Sequence, residues 1–259
     1  MLILIAESKK MAACDSSVSG AEYNSHRPVF EKEASMIMDS LRDMNADTLL
    51  GKVKISLPMV RRLQQMIYEY PDKSHGDMAI NAFTGVVFNA FRYATLSEEA
   101  RMAACRRVKI ISSLYGWLRP DDIIRQYRFD FTNPLAPEGA TLASYWKEAV
   151  TSRLLQELAD ANHTDMLNLL PADAARCIDW KQIAQKARVW RADFREMLPA
   201  GATRTPNSNR LKTLRGQLLR QIIIENITRP EQLTSLAGDD YIAVGSDTST
   251  GDIIFHTAP

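Results

Sequence analysis

The chain opens on an unbroken apolar run, Met1 to Ala6, that Glu7-Ser8-Lys9-Lys10 brings to an end. A short run of this kind, rich in β-branched residues, predicts a buried strand. Glu7 to Pro28 is polar and reads as a long loop, of a length that usually has a function. From Phe30 to Met44 the apolar positions recur at helical spacing, and they do so again from Val60 to Tyr70 after Pro58. Asp77 to Phe91 keeps a looser helical spacing that Gly85 weakens. Ser97 before Glu98 and Glu99 predicts an N-cap with a negative first turn, opening a helix to about Val108. Val108 to Leu118 changes character and fits either a strand or a turn between helices. Arg119-Pro120 ends it, because proline restricts the residue before it.

Farther along, Phe131 to Gly139 holds two prolines and reads as a loop, and Leu142 to Ala159 reads as a helix. Met166 to Leu170 and Ala187 to Phe194 are predicted strands. In the second, Val189, Arg191 and Asp193 alternate with Trp190, Ala192 and Phe194, a half-buried pattern. Thr203 to Asn209 is a polar loop. Ser208 to Ile227 is the clearest helix, with Leu211, Leu214, Leu218 and Ile222 on one stripe. Thr228-Arg229-Pro230-Glu231 has the form of a capping box before a short last helix. Tyr241 to Val244 and Ile253 to Phe255 flank Ser249-Thr250-Gly251-Asp252 as a terminal hairpin. Strands at both ends and in the middle predict one mixed sheet surrounded by helices, an α+β fold formed by residues 1–259 as a single domain.

Composition changes this picture little. The chain is 46% hydrophobic and 24% charged, as in ordinary globular proteins. Its apolar runs are too short to span a bilayer, and its start does not read as a signal peptide, so a cytoplasmic protein is expected. Cys14, Cys105 and Cys177 are odd in number and far apart, which argues against a disulfide framework. No cysteine or histidine spacing suits zinc, and no Glu-x-x-His pair suits direct iron storage, so no cofactor and no stable metal are expected. Net charge is +1, so any nucleic-acid site must be a local patch. Two such patches exist in the sequence. Arg101 to Arg128 holds seven basic residues (Arg101, Arg106, Arg107, Lys109, Arg119, Arg125 and Arg128) against Asp121 and Asp122. Thr203 to Arg220 holds Arg204, Arg210, Lys212, Arg215 and Arg220 with no acid. A phosphate backbone calls for such a local excess.

Several passages resemble the YaaA-like peroxide-stress family. They are Met1-Leu-Ile-Leu-Ile-Ala-Glu-Ser-Lys9, Ala82-Phe83-Thr84-Gly85, Ser113-Leu-Tyr-Gly-Trp-Leu-Arg-Pro-Asp-Asp122 with Tyr127-Arg128, Tyr145-Trp146, Asn168-Leu169, Lys212 with Arg215-Gly216, and Arg229-Pro-Glu-Gln-Leu233. Order and approximate spacing are kept over essentially the whole chain. There are departures. Val86 and Phe88 stand where the family usually carries Asp and Tyr. Asn168-Leu-Leu-Pro-Ala-Asp173-Ala174 keeps an acid and loses a tyrosine, and His256 follows Phe255 where a lysine is expected. The resemblance implies resistance to hydrogen peroxide by limiting free intracellular iron. It also implies DNA binding through a positively charged groove and a helix-hairpin-helix-like element.

The candidate site residues follow from both readings. The Ser113–Gly116 turn, with Tyr115 and Gly116, either lets backbone N–H groups grip a phosphate or is a tight turn with Tyr115 and Trp117 in the core. Lys9 follows the first strand, where ligand crevices form. With Arg119, Arg128, Lys212, Arg215 and Arg220 it is a candidate for DNA or anion binding, and Asn168 for hydrogen bonding to the ligand. Lys212 and Arg215 share one side of the long helix. Asp122, Asp130 and Asp173 are acids for general acid–base work or for orienting arginines, Asp122 and Asp173 being the catalytic candidates. The expected partner is DNA, duplex, bubble or junction, gripped without sequence preference, with no membrane partner and a monomeric protein. The alternative is an enzyme on a small anionic or nucleotide-like substrate in the same cleft.

Overall fold

The computed structural model describes residues 1–53 and 55–258. Its centre is β1 (Leu2–Ala6), in which every residue is buried. The chain then runs through α1 (Gly20–Ser25), α2 (Glu31–Leu41), α3 (Ala46–Val53), α4 (Leu57–Glu69), β2 (Asp77–Met78), α5 (Ala79–Ala82), α6 (Val86–Phe91) and α7 (Glu98–Arg107) before returning to the sheet. There follow β3 (Val108–Ser112), β4 (Gly116–Leu118), β5 (Ile123–Ile124), α8 (Leu142–Asp160), β6 (Asp165–Asn168), α9 (Ala172–Ala175) and α10 (Trp180–Ala184). The remainder is β7 (Arg188–Met197), β8 (Thr203–Arg204), α11 (Ser208–Ile224), β9 (Ile242–Asp247) and β10 (Asp252–Thr257).

Eight strands form one mixed sheet in the order β4-β3-β1-β6-β7-β10-β9, with β8 paired to the far end of β7. The interior pairs β3–β1, β1–β6, β6–β7 and β7–β10 are parallel, and β4, β8 and β9 add antiparallel pairs at the margins. The expected mixed sheet surrounded by helices is therefore present. Its interior strands are parallel because helices lie in every crossover between them. β1 runs to β3 on one side, and the chain then comes back to place β6 on the other, so the strand order reverses at β1. At such a reversal the neighbouring connections leave in opposite directions and open a crevice at the strands' carboxyl ends.

Local signals explain most elements. Ser97 Oγ accepts from Ala100 N at 3.3 Å and starts α7 as its spacing predicts. Gln232 Oε1 accepts from Thr228 N and Arg229 N, both at 3.0 Å, and completes the capping box. That box opens a 3-10 turn, Pro230–Ser235. The loose helix expected from Asp77 to Phe91 is broken into β2, α5 and α6, with Gly85 as the N-cap of α6. α1 and α3 arise inside or beside segments without a strong apolar period.

The Ser113–Gly116 turn is not the hairpin of a helix-hairpin-helix-like element. Val108–Ser112 and Gly116–Leu118 are antiparallel strands, so the Ser113–Gly116 turn closes a β-hairpin. Gly116 has φ of 66°, and an added Cβ would lie 2.6 Å from the Trp146 ring. Glycine is needed there both for its backbone and for the close approach.

α11 packs on α6, α7 and β7. Its closest approach to α6 is at Gly216, where a Cβ would sit 2.3 Å from Val87 O and 2.6 Å from Ala90 Cβ. These two helices form opposing walls of the cleft described below. Gly216→Ala is therefore expected to push them apart at a cost of about 1–3 kcal/mol. A thermal melt checks this: Tm should fall by roughly 2–10 °C, and an unchanged Tm would show that α6 and α11 part freely.

Candidate functional site

β1 ends at Ala6, and the next residues, Glu7 to Lys10, form the edge of a cleft of about 590 Å³. Thr84 to Asn89, the start of α6, make one wall. Lys212 and Arg215 on α11, with Ser208 at its first turn, make another. Leu169, Pro171 and Asp173, which follow β6, close the third side. The cleft thus sits at the carboxyl ends of β1 and β6, where the strand order reverses.

Its cations differ in their surroundings. Lys9 is exposed and forms an ion pair with Asp130, so it is largely neutralised. Lys212 is exposed, and Arg215 is half-buried. Neither has a hydrogen bond to a side chain or an ion pair among the described residues. Burial pulls the Arg215 guanidinium down from its usual value, and Asp173 offsets this in part. Asp173 lines the same cleft, and its Oδ1 accepts from Ala174 N at 3.0 Å near the start of α9.

Glu7 is the group that the sequence pattern does not single out. Its Oε2 accepts from Ser113 N at 2.8 Å and its Oε1 from Ser113 Oγ at 2.6 Å. The Tyr127 hydroxyl also donates to Oε2. Ser112 Oγ accepts from Leu114 N and Tyr115 N, which leaves its own proton for the Tyr127 oxygen, 2.7 Å away. Burial pushes the Glu7 carboxyl up to about 7, against the opposing pull of these hydrogen bonds. An acid just after a strand looks in sequence like the first residue of a surface loop. What distinguishes Glu7 is Ser113, more than a hundred positions away.

Other candidates lie elsewhere. Tyr115 is 2% exposed, its hydroxyl accepts from Arg125 N at 3.1 Å, and its ring packs on Tyr70 and Tyr127. Gly116 is equally buried. The phosphate-gripping reading of these two residues is thereby corrected in favour of the core turn. Arg119 binds Asp122 through Nε and Nη2, both at 2.8 Å, and Asp122 also accepts from Arg119 N. Asp122 is 0% exposed, and burial lifts its carboxyl to about 6 despite the arginine. It orients Arg119 and does not line the cleft. Asn168 Oδ1 accepts from Leu170 N at 2.9 Å, a turn after β6. Arg220 donates to Phe91 O and Arg92 O at the end of α6. Arg128 donates to Lys9 O and lines a neighbouring shallow groove with Lys9, Lys10 and Arg62.

The two acid-poor stretches do not form two basic surfaces. Arg107 is buried and donates to Ile227 O, Lys109 pairs with Glu157 at 3.1 Å, and Arg125 donates to Glu69 O. Arg204 meets Glu196, and Arg210 meets Asp240 at 3.1 Å. A larger hollow of about 1170 Å³ beside α4 is lined by Arg61, Arg62 and Arg125 against Asp15, Glu69 and Asp72, so it offers little net charge to an anion.

The comparisons with known proteins concern the whole chain. The sequence model of a family described as "Peroxide stress protein YaaA" matches residues 1–245. The chain belongs to this family. The UPF0246 protein of Rhizorhabdus wittichii is 30% identical over 254 residues, covering 96% of this chain and 97% of that one. The UPF0246 protein of Bordetella pertussis is 28% identical over 260 residues, covering 98% of each. That of Parabacteroides distasonis is 26% identical over 243 residues, covering 93% of each. The resemblance seen in Ser113–Asp122 and its companions is thus a family relationship, and an oxidative-stress role is consistent with it. No helix among the described residues is long and apolar enough to cross a membrane.

Glu7 gives this YaaA-family chain a distinctive pH dependence. Its folded value of about 7 lies above its ordinary 4.5, so between these values the folded state holds a proton that the unfolded state has lost. Stability from this group therefore falls as pH rises from about 4.5 to about 7 and is constant above. Relative to Glu7→Gln, wild type should lose up to about 3 kcal/mol across that window, less where cleft water screens the charge. Denaturant melts of both proteins at pH 4.5 and pH 8 measure the difference. An equal change in the two proteins would assign Glu7 an ordinary carboxyl.

Proposed function

We propose that this chain serves the response to peroxide by binding a phosphate-bearing anion in the cleft at the carboxyl ends of β1 and β6, with Lys212 and Arg215 as its anchors. The observation that supports this most is Arg215, a half-buried guanidinium with no ion pair or hydrogen bond among the described residues and only a longer-range attraction from Asp173, one helical turn from Lys212. A buried cation without a partner is costly, and an arriving oxyanion relieves that cost through charge-assisted, often bidentate, hydrogen bonds. A volume of about 590 Å³, walled by α6 and α11, suits a nucleotide-sized ligand better than the side of a duplex.

Binding of DNA by its backbone is the second reading, and one observation favours it. The shallow groove with Lys9, Lys10, Arg62 and Arg128 contains no acid and meets the cleft at Lys9 and Lys10. A strand with one phosphate on Arg215 meets Lys10 and Arg62 farther along that path, Lys9 being paired with Asp130 and Arg128 held by Lys9 O. In that case the chain would shield DNA during peroxide stress. Among the described residues no three His, Cys, Asp or Glu side chains group in a way that could hold a metal ion. Limitation of free iron therefore enters either reading as a consequence of what the cleft binds.

Fluorescence anisotropy with labelled duplex, bubble and four-way-junction DNA, with and without excess nucleoside monophosphate, separates the two. On the first reading nucleoside monophosphate binds, displaces any bound DNA, and loses about tenfold or more in affinity in Lys212→Ala/Arg215→Ala. DNA binding that resists the nucleotide and falls steeply with salt, by a log–log slope of about −0.9 per phosphate contact, supports the second. Binding of neither ligand would remove both.

A further inference from the structure

Anion binding by Lys212 and Arg215 leaves Glu7 without a task, although Glu7 lines the same cleft. A carboxylate beside an anion site repels the ligand, and the fold does not place it there by accident of an exposed loop. Both Glu7 oxygens are held by donors from two distant segments: Ser113 N, Ser113 Oγ and the Tyr127 hydroxyl. Glu7 N in turn donates to Ile111 O at 2.9 Å, which fixes the backbone. The side chain is thus set in one orientation by the β3–β4 turn and by the segment after β5, while the residue keeps partial exposure.

The other groups around it are accounted for. Lys9 and Lys10 come from its own segment, and Lys9 is paired with Asp130. Burial pushes the Tyr127 hydroxyl and the Cys177 thiol up, so both keep their protons at neutral pH. Asp173 faces the cleft from α9, and Lys212 and Arg215 face it from α11. Glu7 is the carboxyl here that burial brings close to neutrality. An oxyanion seated on Lys212 and Arg215 adds negative charge to the cleft that Glu7 also lines, which favours the protonated carboxyl.

We infer that Glu7 is the proton-transfer group of this cleft, so that an anion anchored on Lys212 and Arg215 binds together with one proton, and that the substrate class is a nucleoside-phosphate-like molecule with a protonatable oxygen or nitrogen. The inference rests on the anion-binding reading above and adds acid–base chemistry to it. In the transfer the Glu7 O–H bond breaks and the ligand heteroatom gains that proton. The carboxylate that remains keeps its hydrogen bonds from Ser113 and Tyr127, and water returns the proton afterwards. No oxidant or reductant is required. The arrangement separates anchoring, on α11, from proton transfer, on the end of β1, as a general acid at neutral pH needs.

Sulfate is a suitable probe, because it does not titrate near neutrality. Its binding is measured by calorimetry in two buffers of different ionisation enthalpy, from about pH 6 to about pH 8, around the Glu7 midpoint. Wild type is expected to take up about one proton per sulfate at the upper end, with affinity falling by about tenfold per pH unit there. Glu7→Gln should bind sulfate with no proton uptake and a flat profile. In that variant the amide oxygen can take the Ser113 N and Tyr127 bonds, and Ser113 Oγ can turn to accept from the amide. Tyr127→Phe, which removes one donor from the carboxylate and leaves α11 untouched, should move the wild-type midpoint upward. Sulfate bound by wild type without proton uptake, or with the same uptake in Glu7→Gln, overturns the proposal and leaves the anion site standing. Wild type that binds no sulfate at all overturns the anion site and the proton-transfer role with it.

Discussion

The fold turns on the pairing of β1 with two strands that come from far along the chain. Ile3 to Ala6 lie in parallel register with Val108 to Ile111, and Leu2 to Leu4 with Met166 to Asn168. Each pairing closes a loop of more than a hundred residues, so neither is stabilised locally. Burial must supply the compensation, and β1 is buried at all five positions. Because the neighbouring strands are reached in opposite directions, the carboxyl end of β1 opens into a crevice. Everything that the cleft can do follows from what is attached to that end.

Four segments meet there, the stretch after β6 with Asp173 and three others of different chemistry. The end of β1 brings a carboxyl, α11 brings two cations, and the start of α6 brings the wall that encloses them. The approach of α11 to α6 at Gly216 sets the width of the cleft, and the donors from Ser113 and Tyr127 set the Glu7 side chain. The two acid-poor stretches contribute only two basic side chains to the cleft, Lys212 and Arg215. Most of their arginines are consumed in holding the structure together: Arg107 ties the end of α7 to Ile227 O, Arg119 holds Asp122, and Arg220 caps the end of α6. A cation that already has a carbonyl or a carboxylate is a poor anchor for a ligand. Among the described residues Arg101, Arg106, Lys212 and Arg215 of these stretches have no such partner, and of these four Lys212 and Arg215 line the cleft.

This distribution bears on what a family member can bind. A broad basic face would suit a duplex, held by many phosphates at once. Here Lys212 and Arg215 stand in one cleft that adjoins a groove lined by Lys10, Arg62 and Arg128. The residues that differ from the family's usual pattern, Val86 and Phe88 on α6, stand on the cleft wall. The tyrosine that the family carries after Asp173 is replaced by Ala174 at 0% exposure. Val86 and Phe88 leave that wall apolar at these two positions.

By itself the sequence determined the elements whose signals are local: β1, α2, α4, α7, α8, β6, β7, α11 and the β9–β10 hairpin. Their apolar period, caps and turn residues lie within a few positions of one another. It also determined the family, through motifs kept in order, and it grouped Lys9, Arg119, Arg128, Lys212 and Arg215 in one candidate site, of which Lys9, Lys212 and Arg215 line the cleft. Tertiary structure alone decided which charges are free. Lys109 and Lys212 look alike in sequence, and only the arrival of Glu157 decides that Lys109 is neutralised. It likewise decided that Tyr115 and Gly116 belong to the core, since the choice between a strand and a turn between helices for Val108–Leu118 depends on pairing with β1. Glu7 became chemically distinctive in the same way. A carboxyl's affinity for its proton is set by burial and by the donors around it, and those donors come from residues that only folding brings near.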